Sequence, residues 1–104
     1  MKEVLERIRK FNEDRDWDQF HTPENLAKSI AIESGELLEC FQWNNDFNQK
    51  EVCEELADIM SYCIMLADRL HVDMETIIMD KFDQNEQKYP VSKAKGVSTK
   101  YDKL

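Results

Sequence analysis

The sequence predicts an all-α fold with four main helices, its core completed by a second copy of the chain. Three observations predict it. Two glycines and two prolines in 104 residues are too few to supply hairpin and sheet turns. Apolar residues recur at three- and four-residue steps instead of alternating. A chain this short builds one modest core, and small helical cores are often finished by another subunit, so a homo-oligomer is expected. Residues 1–90 are assigned to the helical domain and residues 91–104 to a lysine-rich C-terminal tail.

The first helix is expected over residues 2–15, where Val4, Leu5, Ile8 and Phe11 fall on one stripe. The connector DWDQFHTPEN follows. In it Thr22 is a suitable N-cap and Pro23 suits the first helical position. The second helix is expected from Pro23 to about Trp43, with Leu26, Ala27, Ile30, Leu37, Leu38 and Phe41 as its stripe. NNDFNQ, residues 44–49, reads as a loop. The third helix, from about Lys50 to Leu70, is apolar around most of its circumference, which predicts burial. Asp73 should cap a fourth helix from about Met74 to Tyr89, and Pro90 should stop it. The tail beyond reads as a flexible segment or a strap over another subunit.

Net charge is −8 and the sequence pI is about 4.7. A nucleic-acid binder needs a basic footprint, so nucleic-acid polymers are not expected partners. No apolar run reaches the length of a membrane span and no signal peptide opens the chain, so no membrane partner and a cytoplasmic location are expected. The cysteines, Cys40, Cys53 and Cys63, sit inside helical patterns without a CxxC or Cys/His cluster, and are expected to be reduced core residues.

The chemistry is concentrated in acids. Between Ser29 and Ala67 there are eight acids and one base, Lys50. Glu33 and Glu36 on the second helix, and Glu55 and Asp58 on the third, form two pairs with two residues between the partners. On a helical wheel one member borders the apolar stripe and the other lies about 60° away. Buried unpaired carboxylates are costly, and adjacent ones repel. The groups therefore either face water or hold a metal ion. Hard oxygen donors from facing helices favour Mg2+, with Mn2+ as the alternative. The di-iron pattern Glu-x-x-His is absent, as is a calcium loop.

The partners of such a metal would be phosphates. Lys81, Asn85 and Lys88 share one face of the fourth helix and suit phosphate contact, although a solvated face gives the same pattern. Trp17, His21, Trp43 and Tyr62 offer stacking and polar groups suited to a base, or alternatively cap the core.

Glu33-Ser34-Gly35-Glu36, eighteen residues, then Glu55-Leu56-Ala57-Asp58 resembles the signature of the all-α nucleoside triphosphate pyrophosphohydrolases of the MazG-like superfamily. FHTPENLA, ESGELLECFQW, EELADIMSYCIMLA and KFDQNEQKYPVSKAKG resemble its dCTP-pyrophosphatase-like branch. The resemblance implies a fold that dimerises into a four-helix-bundle core, sometimes paired again, so a homodimer or homotetramer. It also implies magnesium-dependent cleavage between the α- and β-phosphates, giving a nucleoside monophosphate and pyrophosphate, in nucleotide-pool house-cleaning with a lean to dCTP or modified cytosine nucleotides. It further implies Glu33, Glu36, Glu55 and Asp58 as metal ligands, and Lys81, Asn85 and Lys88 as phosphate contacts. His21, Trp43, Tyr62 and, less securely placed, Trp17 fall around the base. Glu36 or Glu39 would accept the proton of the attacking water. Two other readings stay open: a non-catalytic nucleotide- or metal-binding protein, and an acidic helical interaction module.

Overall fold

The computed structural model describes residues 1–43 and 46–104. Asn44 and Asn45, which open the expected loop, lie outside the described residues. The elements are α1 (Lys2–Asp14), α2 (Pro23–Glu39), α3 (Gln49–Arg69), α4 (Met74–Lys88) and a short α5 (Val91–Ala94), with 3₁₀ turns at Asp18–Phe20 and Tyr101–Lys103. No strand occurs among the described residues. The chain forms two compact units, Met1–His71 and Val72–Leu104.

In the first unit α2 and α3 pack along each other and α1 lies against α3. The α1 end shows why the chain turns where it does. Asp16 takes a left-handed φ of 53°. Its N–H donates to the Glu13 carbonyl at 3.1 Å, and the Trp17 N–H to the Asn12 carbonyl at 2.9 Å. This is a Schellman cap with aspartate where glycine is commoner. The apolar contact that accompanies such caps is present: the Trp17 and Phe11 rings meet edge to face, centroids 5.6 Å apart. A second tie joins α1 to α3, where Arg9 donates through Nε and Nη2 to the Asp68 carboxylate, the Nε contact at 3.0 Å. That guanidinium holds the Asp68 carboxyl below the usual range.

α2 starts as its sequence requires. The Thr22 hydroxyl accepts from the Asn25 N–H at 3.2 Å, and Pro23 follows at the first helical position. Its end departs from expectation. The helix stops at Glu39, not Trp43, because the N–H groups of Cys40, Phe41 and Gln42 bond to carbonyls three residues back. Such tight bonds satisfy the last carbonyls and wind the helix out. Phe41 then packs on Phe47 beyond the break, centroids 5.0 Å apart. In α3 the Asn48 side chain accepts from the Glu51 N–H.

The expected burial of α3 is only partly met within one chain. Ile64 and Ala67 are buried, whereas Leu56 and Met60 are exposed. The cysteines are free, but Cys53 is exposed and Cys40 and Cys63 are half-buried, so the expected core placement does not hold within one chain. On α2, Leu26 is fully buried, whereas Ile32 and Leu38 face outward.

In the second unit Asp73 caps α4, its Oδ2 accepting from the Thr76 N–H at 3.0 Å and the Thr76 hydroxyl at 2.7 Å. α4 ends at Lys88, with the Tyr89 N–H on the Asn85 carbonyl, before Pro90. The 3₁₀ turn carries Tyr101 edge-on to Tyr89, and Lys88 Nζ lies 4.7 Å from the Tyr101 ring centre.

Candidate active site

The contact between α2 and α3 brings the two acid pairs together. On each helix the partners are three residues apart, so both leave neighbouring positions on one side. One carboxylate oxygen from each of Glu33, Glu55 and Asp58 lies within 4.8 Å of the others. Glu33 and Glu55 are half-buried and Asp58 is exposed. Each of the two glutamates keeps its Oε2 closed off from solvent without a hydrogen-bond partner. Glu36, exposed, stands beside Glu33 but is not among the three converging groups. Glu39 is exposed at the end of α2.

Withdrawal from water pushes the Glu33 carboxyl up to about 7, with the neighbouring Glu36, Glu55 and Asp58 carboxylates adding to the shift. Glu55 is raised for the same first reason. The ion pairs of the described residues, Arg9–Asp68, Lys10–Asp14 and Lys28–Glu24, do not reach this cluster. Converging hard oxygens with orphaned buried atoms, and no ion pair to them among the described residues, fit a divalent cation.

The Glu33 shift has a measurable consequence. The folded chain holds this proton to about 7, the unfolded chain only to 4.5. Stability from this group is therefore full below the lower value and is lost as pH rises through the higher one. The melting temperature of metal-free protein should fall across that window. Glu33→Gln should flatten the fall. Excess Mg2+ should raise the melting temperature more at about pH 8 than at about pH 5, because the cation must displace the proton. Thermal scans across pH check this, and an unchanged slope in Glu33→Gln would assign the titration to another group.

Asp58 also borders a cavity of about 550 Å³, within the range of small-molecule sites. Trp17, His21 and Tyr62 line it, as do Arg7, Phe11 and Asn12 from α1. Withdrawal from water, then the Glu33, Asp58 and Glu36 carboxylates, push the Tyr62 hydroxyl above its ordinary value. Trp17 stands edge-on between Phe11 and His21. The connector that carries Trp17 and His21 is fastened from α3. Arg69 donates through Nε to the His21 carbonyl at 2.8 Å and through Nη2 to the Asp18 carbonyl at 2.9 Å.

Trp43 does not share this cavity. It lies past the end of α2 and is 86% exposed. Lys81 and Lys88 are exposed on α4, and Asn85 is half-buried there. Sequence reasoning missed the contribution of α1. Its stripe read as core, and Arg7 and Asn12 carried no motif. An asparagine beside an apolar helical stripe was the one available signal.

Residues 28–104 match the model of the MazG-like family. The dCTP pyrophosphatase 1 of Rattus norvegicus is 41% identical over 97% of this chain and 68% of its own length. That of Homo sapiens is 39% identical over the same shares. A crystal structure of a pyrophosphatase from Archaeoglobus fulgidus superposes with a TM-score of 0.82 at 39% identity, covering 86% of this chain and 92% of that one. With Glu33, Glu55 and Asp58 converging between α2 and α3 and a family match across most of its length, this chain belongs to the MazG-like family.

Proposed function

We propose that this chain is a nucleoside triphosphate pyrophosphohydrolase that cleaves between the α- and β-phosphates, with a lean to dCTP or modified cytosine nucleotides in nucleotide-pool house-cleaning. One observation carries the reading: a cluster of unpaired carboxylates meets an aromatic cavity at Asp58, in a MazG-like chain about 40% identical to dCTP pyrophosphatases. Phosphates need cations and bases need flat apolar walls, and the two environments adjoin.

Glu33, Glu36, Glu55 and Asp58 would hold the metal, Mg2+ or alternatively Mn2+. When bound, it supplies neutralisation of phosphate charge and Lewis acidity. The residues of the chain do the remaining work. A Glu36 carboxylate oxygen accepts the proton of the attacking water, with Glu39 in support. Water attacks one of the two phosphorus atoms joined by the α,β-bridging oxygen, the bond from that phosphorus to the bridging oxygen breaks, and the two parts leave as monophosphate and pyrophosphate. Lys81, Asn85 and Lys88 are assigned to phosphate contact. Trp17, His21 and Tyr62 are assigned to the base, and Trp43 keeps a base role only in an assembly that covers it.

A second copy of the chain belongs to the same reading, as a homodimer or homotetramer. Ile32, Leu38, Leu56 and Met60 are exposed apolar side chains on α2 and α3, more than a small chain leaves to water without use. The mass in solution should be two or four times 12.4 kDa. A folded, active monomer at micromolar concentration would contradict it. A cytoplasmic location is also part of the proposal. Among the described residues, no helix is long and apolar enough to cross a membrane.

The test is pyrophosphate release from a panel of nucleoside triphosphates with Mg2+. Monophosphate and pyrophosphate in equal amounts, with dCTP among the best substrates, is the expected result. Release of inorganic phosphate, or no turnover, would overturn the proposal.

A further inference from the structure

Asn12 is the buried polar side chain of the described residues, 4% exposed, and its Oδ1 has no hydrogen-bond partner. Asparagine is a poor helix former, and a buried amide without partners costs stability. An alanine or leucine would serve α1 better at this position. The backbone leaves the residue little freedom to escape. Its carbonyl is the acceptor of the Schellman cap, and Arg9, one turn earlier, ties α1 to α3. The chain thus fixes an unsatisfied amide in a wall that is otherwise mostly apolar.

That wall belongs to the cavity bordered by Asp58. His21, which lines the same cavity, also keeps a buried ring nitrogen, Nδ1, without a partner. Two orphaned polar groups among Phe11, Trp17 and Tyr62 are suited to a flat ligand with polar edges. On the other side Asn12 borders a cavity of about 30 Å³, so a structural water is the rival occupant.

We propose that Asn12 is a specificity-determining residue that reads the Watson–Crick edge of cytosine, its carboxamide accepting from the 4-amino group and donating to N3. This rests on the pyrophosphohydrolase reading. A carboxamide offers one acceptor beside one donor, which is the complement of that edge. No hydrogen bond among the described residues fixes the amide orientation, so a flip that turns both atoms to the base breaks no existing bond. Stacking on Trp17 would tolerate any base. Leaving a buried amide unpaired penalises the base that lacks the matching group.

The experiment compares kcat/KM for dCTP and for the deoxynucleoside triphosphate of pyrimidin-2-one, which differs by loss of the 4-amino group. Wild-type protein should prefer dCTP by at least about tenfold. Asn12→Leu, which keeps the γ-branched shape, should shrink that preference to within about twofold while still hydrolysing the analogue. Equal use of both substrates by the wild type would overturn the proposal with no variant needed. An Asn12→Leu that slows both substrates by one factor would also overturn it, and would assign Asn12 to the structural water. Asn12→Ala repeats the comparison should the leucine not fold. If the wild type hydrolyses no nucleotide, the pyrophosphohydrolase reading itself fails and this inference falls with it. Hydrolysis without the 4-amino preference removes the inference alone.

Discussion

Glu36→Gln and Asp58→Asn should each lower magnesium-dependent turnover at least about 100-fold, or about 2.7 kcal/mol of barrier. Each change removes one negative charge with almost no change of shape, so the helices should stay packed. The effect follows from what the cluster lacks. Glu33, Glu55 and Asp58 converge, no ion pair among the described residues reaches them, and two of their oxygens are buried without partners. Removing charge should therefore stabilise the metal-free fold while it weakens the cation site. Steady-state kinetics and metal-free melting curves on the same preparations separate the two effects. A variant that loses activity and also melts lower would show damage to the packing instead. Near-normal turnover in both variants would remove these carboxylates from the site.

The second large effect is on stability. Leu26→Ala should cost about 2–5 kcal/mol. Leu26 is the fully buried large side chain of the described residues, and its N–H bonds to the Thr22 carbonyl in the first turn of α2. Truncation leaves a void in a core that has few other members. For a domain near 100 residues this lowers the melting temperature by about 4–8 °C per kcal/mol. Because α2 carries Glu33 and Glu36, the same variant should respond strongly to Mg2+. Denaturant titration checks the loss, and a change under about 1 kcal/mol would show that the site collapses around the void.

Much of this was legible beforehand, for local reasons. Thr22 and Asp73 each accept from an N–H three residues on, and Pro23 presets the first helical φ, so local spacing alone identifies the starts of α2 and α4. The acid pairs were legible because a helix converts a three-residue step into adjacency. The end of α2 was not. Phe41 and Trp43 continue the apolar period, but the chain tightens after Glu39 and Phe41 turns to Phe47 instead. The share of α1 in the cavity was also hidden. Periodicity shows which face is apolar and is silent on whether that face meets a neighbour or lines a space. The exposure of Leu56, Met60 and Cys53 has the same origin, since a pattern that demands burial does not say which chain supplies the cover.

The fork of Arg69 bears on how the chain is made. Its two carbonyl partners, on His21 and Asp18, precede it by 48 and 51 residues. At ribosomal speeds of about 5–20 residues per second, the connector therefore emerges roughly 2–10 s before its latch exists. Through that interval the connector has only local contacts to hold it: the Schellman cap, the Phe11 and His21 rings beside Trp17, and the hydrogen bonds from Gln19 to Asp16 and from Asn25 to the Phe20 carbonyl. A translational pause between α2 and the end of α3 would lengthen this window. The aromatic wall is thus assembled last-to-first, by a residue near the end of α3 closing over a segment synthesised long before.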